Sequence, residues 1–152
     1  MTFNKIISWF AVFLWMILIF NLSSQVAAQS NQLSTGITKV IAKTVEKVHP
    51  KADFNIRSFN HIVRKNAHFF AYLVLGVLVM NAMRKSGGYE YKYVVVALLI
   101  CVLYAISDEI HQVFVPGRGP GVKDVLIDSW GATVGTLVYL GIDKVVKGRS
   151  KI

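Results

Sequence analysis

The sequence predicts an all-α protein, a polytopic membrane helix bundle of four transmembrane helices with one extracytoplasmic amphipathic helix. Of the 152 residues, 54% are apolar and only 16% are charged, against roughly a quarter charged in soluble domains. The mean hydropathy is +0.49. The apolar residues fall in four blocks bounded by charges, at about 6–24, 67–84, 93–114 and 122–146. Four crossings fill most of the length, so we expect one membrane domain over residues 1–152.

The first block begins after Lys5, and no charged residue follows until Lys39. A secretory signal peptide is the alternative interpretation, because Lys5 provides a charged start and Val26-Ala27-Ala28 has the small residues of a cleavage site. The apolar run is longer than the roughly 7 to 15 residues of a usual signal-peptide core. This length favours a retained spanning helix.

An amphipathic helix is predicted for residues 31–48, which are too few to cross a bilayer. It either lies in the interface against anionic headgroups or packs as a lid on the bundle, and amphipathicity alone does not choose between them. Its apolar residues recur at helical spacing and its lysines occupy another face: Leu33, Ile37, Val40, Ile41, Val45 and Val48 against Lys39, Lys43 and Lys47.

The last two blocks reach a spanning length only if they include acidic residues, namely Asp108 and Glu109 in the third block and Asp124 and Asp128 in the fourth. An ionised aspartate near the centre of a lone spanning helix costs roughly 2.5–3.5 kcal/mol on insertion scales. We therefore expect these residues to face a bundle interior, a partner or a wet cavity.

The basic residues of the short segments predict that both termini are cytoplasmic. The connection between the third and fourth helices carries only Arg118 and Lys123, so it is predicted to be outside, whereas the long segment after the first helix holds seven Lys or Arg and weakens this orientation. The basic residues do not form a face interleaved with aromatics, so no nucleic-acid partner is expected despite the net charge of +9. The residues assigned to the cytoplasm are Lys5, Arg84, Lys85, Lys92, Lys144, Lys147, Arg149 and Lys151.

A polar stripe leads into the second helix. His61, Arg64, His68 and Tyr72 are separated by three, four and four residues, which places them on one helix face. We interpret Arg64, His68 and Tyr72 as functional, because the stripe points at a neighbouring helix. The alternative is an interfacial belt with snorkelling cations, and that interpretation is favoured for Lys65.

The third helix ends in a cluster of polar residues. Ser107 and Asp108 lie four and three residues before His111, so a hydroxyl, a carboxylate and an imidazole can share one face. Glu109 and Gln112 belong to the same stretch. A carboxylate beside an imidazole allows proton transfer or binding of a divalent cation. The alternative is that Asp108 or Glu109 pairs with a basic side chain to hold the bundle together. The pattern alone defines no metal site.

A turn rich in glycine and proline, residues 115–121, follows with Arg118 at its centre. A guanidinium among exposed backbone N–H groups can bind phosphate or carboxylate, although a tight loop with a snorkelling arginine has the same sequence.

Asp124 and Asp128 lie one turn apart on the fourth helix and can bind a cation, share a proton or meet arginine. Gly131 and Gly135 form a GxxxG pair, which is typical of close helix packing.

These elements together resemble the VanZ-like family of small bacterial membrane proteins over residues 6–142. The acidic-histidine helix end, the Pro-Gly-Arg turn and the spaced aspartates occur in the family's order. The matching elements are Ser23-Ser24-Gln25, Arg64-Lys65-x-x-His68-Phe69-x-x-Tyr72-x-x-x-Gly76, Ser107-Asp108-Glu109-x-His111-Gln112-x-Phe114-Val115-Pro116-Gly117-Arg118 and Asp124-x-x-x-Asp128-x-x-Gly131.

The resemblance implies a multi-pass protein of the bacterial plasma membrane with a role in low-level teicoplanin resistance. It implies a polar site at the outer leaflet and a lipoglycopeptide or a lipid-linked envelope precursor as partner besides the lipid bilayer. No cofactor is expected from the sequence, with a divalent cation as the one option. The mechanism stays open. The candidate ligand-binding residues are Arg64, Tyr72, Gln112, Arg118, Asp124 and Asp128.

A membrane-embedded hydrolase or transferase acting on lipid-linked phosphate is the alternative function. Aspartate and histidine would then act as acid and base, the arginines would clamp phosphate, and a divalent cation is an option. A third interpretation is purely structural, with buried ion pairs that specify helix packing. The candidate catalytic residues are Asp108, Glu109, His111 and His68.

Overall fold

The computed structural model describes residues 2–25, 32, 35–36, 56–117, 119 and 121–149. Within these ranges the chain forms helices joined by turns and contains no strand. Four long helices follow one another: α1 (Thr2–Ser23), α2 (Ile56–Lys85), α3 (Tyr91–Gln112) and α4 (Val122–Arg149). Each contains a segment long and apolar enough to cross a membrane. The predicted all-α fold with four spanning helices is confirmed.

The helix bounds differ from the apolar blocks mainly at the start of α2. This helix begins at Ile56, and its apolar span at Ile62, well before residue 67. The difference arises because the polar stripe is itself helical. A search for apolar blocks does not detect polar residues at the start of a helix. The amphipathic segment predicted at 31–48 lies outside the described residues except at a few isolated positions, and so does Arg118.

Small residues bring α2 and α4 into backbone contact. A Cβ atom added at Gly76 would collide with the carbonyl of Ala132, and one added at Gly135 would collide with the carbonyl of Leu73. Gly131 likewise lies directly against the α2 backbone. The GxxxG pair therefore allows the close approach that small residues provide in membrane helices.

Aromatic hydrogen bonds attach α1 to the other helices. The indole N–H of Trp15 donates to the carbonyl oxygen of Ala71 on α2 at 2.8 Å. The hydroxyl of Tyr104 on α3 donates to the carbonyl oxygen of Met16 at 2.5 Å. Tyrosine and tryptophan combine a large apolar surface with one donor, so both side chains pack and bond at once.

A continuous apolar core lies between the four helices, while the outer surfaces of α1 and α3 expose large apolar side chains such as Phe10, Phe13 and Leu103. This inside-out exposure fits a protein surrounded by acyl chains. The buried core consists of Val12, Ile19, Tyr72, Leu75, Val79, Met80, Ala82, Met83, Ala97, Cys101, Ala105 and Ala132.

Replacing Gly135 with alanine should destabilise the protein, because the added methyl group would meet the carbonyl of Leu73 and force α2 and α4 apart. Overpacking of this kind costs about 1–3 kcal/mol. We expect Gly135→Ala to lower the thermal unfolding midpoint of the detergent-purified protein by several degrees.

Gly141→Ala is the matched control on the same helix, because nothing lies within 4 Å of a Cβ atom built there. This variant should unfold like the wild type. Equal unfolding midpoints for Gly135→Ala and the wild type would contradict the backbone contact.

Candidate functional site

Polar side chains from all four helices meet at one end of the bundle. Because neighbouring helices run antiparallel, the carboxyl ends of α1 and α3 lie beside the amino ends of α2 and α4. We call this set of residues the polar site. Its described members are Ser23, Ser24, Arg64, Lys65, His68, Tyr72, Asp108, Glu109, His111, Gln112, Asp124 and Asp128.

A cluster of three residues from three helices, the half-buried His68 and the buried Asp108 and Asp128, lies at its centre. Nδ1 of His68 is 3.5 Å from Oδ1 of Asp128. His68, Asp108 and Asp128 can each offer one ligand atom, all within 4.8 Å of one another. Asp108 is 2% exposed and Asp128 is 0% exposed. The contact between Gly131 and the carbonyl of Phe69, the residue after His68, holds α2 and α4 in this register.

Asp108 is held on one side only. Its Oδ2 accepts a hydrogen bond from the Ser23 hydroxyl at 2.7 Å and one from Nε2 of Gln112 at 3.3 Å. Its Oδ1 is buried and accepts no hydrogen bond from the described residues, and the same holds for both carboxylate oxygens of Asp128. Buried polar atoms are usually satisfied, so these oxygens identify an unusual place in the molecule.

The Tyr72 hydroxyl adds a fourth group. Tyr72 is 0% exposed, and its hydroxyl has no hydrogen-bond partner among the described residues. The carboxyl groups of Asp108 and Asp128 lie near enough to interact with it electrostatically. The polar stripe of α2 therefore points into the bundle at this position, as its spacing predicts.

Glu109 connects α3 to the start of α4. Its Oε2 accepts a hydrogen bond from the backbone N–H of Gly121 at 2.7 Å, and its Oε1 accepts one from Nε2 of Gln112 at 3.3 Å. Both carboxylate oxygens are thus used, which makes Glu109 a residue that positions the helix ends.

His111 lies on the α1 side of the polar site. Its Nε2 is 3.2 Å from the hydroxyl oxygen of Ser24, and its ring centroid is 4.4 Å from that of Phe20. The imidazole of the central cluster is that of His68, although sequence spacing places Asp108 and His111 on one face.

A polar pocket of about 100 Å³ opens beside the central cluster. At about 30 Å³ per water, it holds roughly three waters or one small anionic group. His68 belongs to both the pocket wall and the cluster, and Nζ of Lys65 lies 3.8 Å from Oδ1 of Asp124. The lining residues are Arg64, Lys65, His68, Gln112, Gly117, Gly119 and Asp124.

The structure brings most of the sequence-derived candidates together. Arg64, His68, Gln112 and Asp124 line the pocket, Tyr72, Asp108 and Asp128 lie behind His68, and Glu109 and His111 flank the site.

Three further residues were not on the candidate list. Ser23 bonds Asp108, Ser24 lies beside His111, and Lys65 lines the pocket instead of only reaching the headgroups. All three belong to the sequence elements on which the family resemblance rests. That was the signal in the sequence from which they could have been identified as site residues.

Comparison with protein families matches residues 8–145 to the family described as VanZ/LLP1. No curated protein and no solved structure matches the chain. The matched region contains every member of the polar site and nearly all of the spanning helices. The chain therefore belongs to the VanZ/LLP1 family, as the resemblance of its sequence elements indicated.

Proposed function

We propose that this protein works in the bacterial plasma membrane, where its polar site binds a lipid-linked anionic group at the outer leaflet and lowers susceptibility to teicoplanin-type lipoglycopeptides. The observation that carries the proposal is a polar pocket built from the ends of membrane-spanning helices. The family resemblance supports the resistance role.

The pocket has the chemistry of an anion site. Arg64 and Lys65 lie on its wall together with the chain at Gly117 and Gly119. Asp124 lies there too, 3.8 Å from Nζ of Lys65, so two cations and one carboxylate line the pocket. Guanidinium and ammonium groups with exposed backbone bind phosphate or carboxylate through charge-assisted hydrogen bonds. A phosphate or carboxylate group suits a volume of about 100 Å³.

The apolar part of such a ligand would stay in the bilayer. Ile62 and Phe70 on α2 are exposed near the pocket end of the helix, so an acyl or prenyl chain can lie against them while the headgroup enters the pocket. Teicoplanin carries a fatty acyl chain and vancomycin does not. A site that a ligand reaches from the membrane would therefore favour the drug with an acyl chain over the drug without one.

Charge distribution supports an outward-facing polar site with both termini in the cytoplasm. Arg84, Lys85 and Lys92 lie in and around the α2–α3 connection, at the opposite end of the bundle from the pocket. Short cytoplasmic loops carry such an excess of lysine and arginine.

A second candidate function is a hydrolase or transferase acting on lipid-linked phosphate, favoured by the approach of His68 to Asp128 beside the pocket. His68 would accept a proton from the attacking water or hydroxyl as the new P–O bond forms. The same proton would then pass to the leaving oxygen as the old P–O bond breaks. Asp128 would hold the imidazolium, and Arg64 and Lys65 would stabilise the phosphate charge.

Drug susceptibility tests the proposed function. A sensitive host expressing the wild type should survive more teicoplanin but no more vancomycin than the empty host. Arg64→Gln should lose this protection at matched membrane levels, because it removes a cation from the pocket wall. Asp128→Asn should lose it as well, because it removes the carboxylate that lies 3.5 Å from His68 on that wall.

Glu90→Gln is the matched control, an acid-to-amide change at an exposed position at the other end of the bundle. It should protect like the wild type. Equal protection against both drugs, or full protection by Asp128→Asn, would overturn the proposal.

Cysteine labelling in intact cells tests the orientation. Gly119→Cys introduces a thiol at the pocket end where nothing lies within 4 Å of the Cβ atom, whereas Glu90→Cys introduces an exposed thiol in the α2–α3 connection. A membrane-impermeant maleimide should label Gly119→Cys directly and Glu90→Cys only after permeabilisation. The reverse pattern would contradict cytoplasmic termini. The native Cys101 is buried, so wild-type cells give the background.

Phosphate release tests the second candidate function. Purified wild-type protein should release phosphate from a polyprenyl diphosphate or from phosphatidic acid in mixed micelles. His68→Gln should abolish the release, because the proton acceptor is lost, while Glu90→Gln should retain it. Release at the background rate by the wild type would remove the hydrolase from consideration, and glycerol or alcohol acceptors would then test transfer.

A further inference from the structure

The central cluster has the arrangement of a metal-binding site. His68 of α2, Asp108 of α3 and Asp128 of α4 each offer a ligand atom within 4.8 Å of the other two. Metal–ligand bonds of about 2.1 Å place neighbouring ligand atoms roughly 3 to 3.4 Å apart and opposite ones roughly 4.2 Å apart. Side-chain rotations that shorten the widest separation by up to about 2 Å would bring all three ligand atoms to one ion.

An independent observation comes from atoms that lack a partner. Asp128 is fully buried; its Oδ1 has only the 3.5 Å approach of Nδ1 of His68, and its Oδ2 accepts no hydrogen bond from the described residues. Oδ1 of Asp108 and the hydroxyl of Tyr72 are in the same condition. A protein interior rarely leaves so many oxygens unsatisfied in one place, and a cation would satisfy them together.

The charges around the cluster also favour a cation. If both are ionised, Asp108 and Asp128 place two negative charges at low exposure, and His68 can supply one positive charge at most. The ammonium of Lys65 lies against Asp124 at the pocket wall. A divalent ion would balance both carboxylates with a neutral imidazole as its third ligand.

The surroundings of Asp108 resemble the outer shell of a metal ligand. Ser23 and Gln112 both donate to Oδ2, and these two bonds fix the orientation of the carboxylate. Its Oδ1 accepts no hydrogen bond from the described residues and is available to an ion. Hydrogen bonds of this kind orient metal-binding carboxylates and tune their affinity.

We propose that His68, Asp108 and Asp128 bind one divalent transition-metal ion, Mn²⁺ or Zn²⁺, with the Tyr72 hydroxyl beside it. One imidazole nitrogen with carboxylate oxygens suits these ions better than Ca²⁺, which takes six to eight oxygen ligands. Because His68 also lines the pocket, the ion would face the bound headgroup and offer it a coordination position. This last step rests on the proposed function, whereas metal binding itself does not.

Calorimetric titration of the full-length protein tests the site. The detergent-purified protein is stripped with EDTA and titrated with Mn²⁺ or Zn²⁺ alone, without lipid or drug. We expect one ion per chain for at least one of the two metals, and a higher thermal unfolding midpoint in its presence.

The variants separate the site from surface binding. Asp128→Asn and Asp108→Asn should weaken binding by at least about tenfold, and Ser23→Ala should weaken it by about tenfold through loss of its bond to Asp108. Glu90→Gln should bind like the wild type, because its carboxylate is exposed at the other end. If an aspartate variant does not elute as a folded protein, His68→Gln at the pocket wall takes its place.

Failure of the wild type to bind either ion stoichiometrically would overturn the metal proposal. Unchanged affinity in a folded Asp128→Asn protein would do the same, since the ions would then occupy surface carboxylates. Because no lipid or drug is present, metal binding without teicoplanin protection would count against the proposed function alone. Protection without metal binding would count against the metal site alone.

Discussion

The backbone contact between α2 and α4 is the constraint on which the polar site depends. Gly76, Gly131 and Gly135 allow the two helices to touch with no side chain between them. A contact of this kind fixes the position of one helix along the other, because backbone carbonyls of one helix pack directly on glycines of its neighbour. The register it fixes brings His68 opposite Asp128. A looser packing by leucine or phenylalanine would leave these two polar groups to find other partners.

The other two helices complete the site from the outside. α1 supplies Ser23 to Asp108 and is itself docked through the indole of Trp15, while α3 supplies Asp108 and the carboxylate of Glu109 that reaches Gly121. Acidic groups therefore lie deep between the helices, and Arg64 and Lys65 lie on the pocket wall. The wall also holds Asp124, so an anionic headgroup meets two cations and one carboxylate there, whereas a cation meets two carboxylates and an imidazole in the interior.

The sequence predicted the helices well because spanning length and hydropathy are local properties of a membrane chain. It also placed Tyr72 toward a neighbouring helix, since helical spacing fixes which residues share a face. The sequence did not predict the pairing of His68 with Asp128. That pairing depends on the relative height of two helices distant in sequence, whereas Asp108 and His111 offered a local alternative on one face. Lys65 was read as snorkelling because no local pattern reveals Asp124 at 3.8 Å.

Because of the same glycine contact, substitutions between α2 and α4 are tolerated far less than substitutions on the outer faces of α1 and α3. On the outer faces of α1 and α3, exchanging one large apolar residue for another alters only the contact with acyl chains. Along the seam between α2 and α4, even one added carbon meets backbone. Over long divergence, the outward faces of α1 and α3 can lose nearly all likeness to a common ancestor, while the glycines of the seam and the polar ends of the four helices keep theirs.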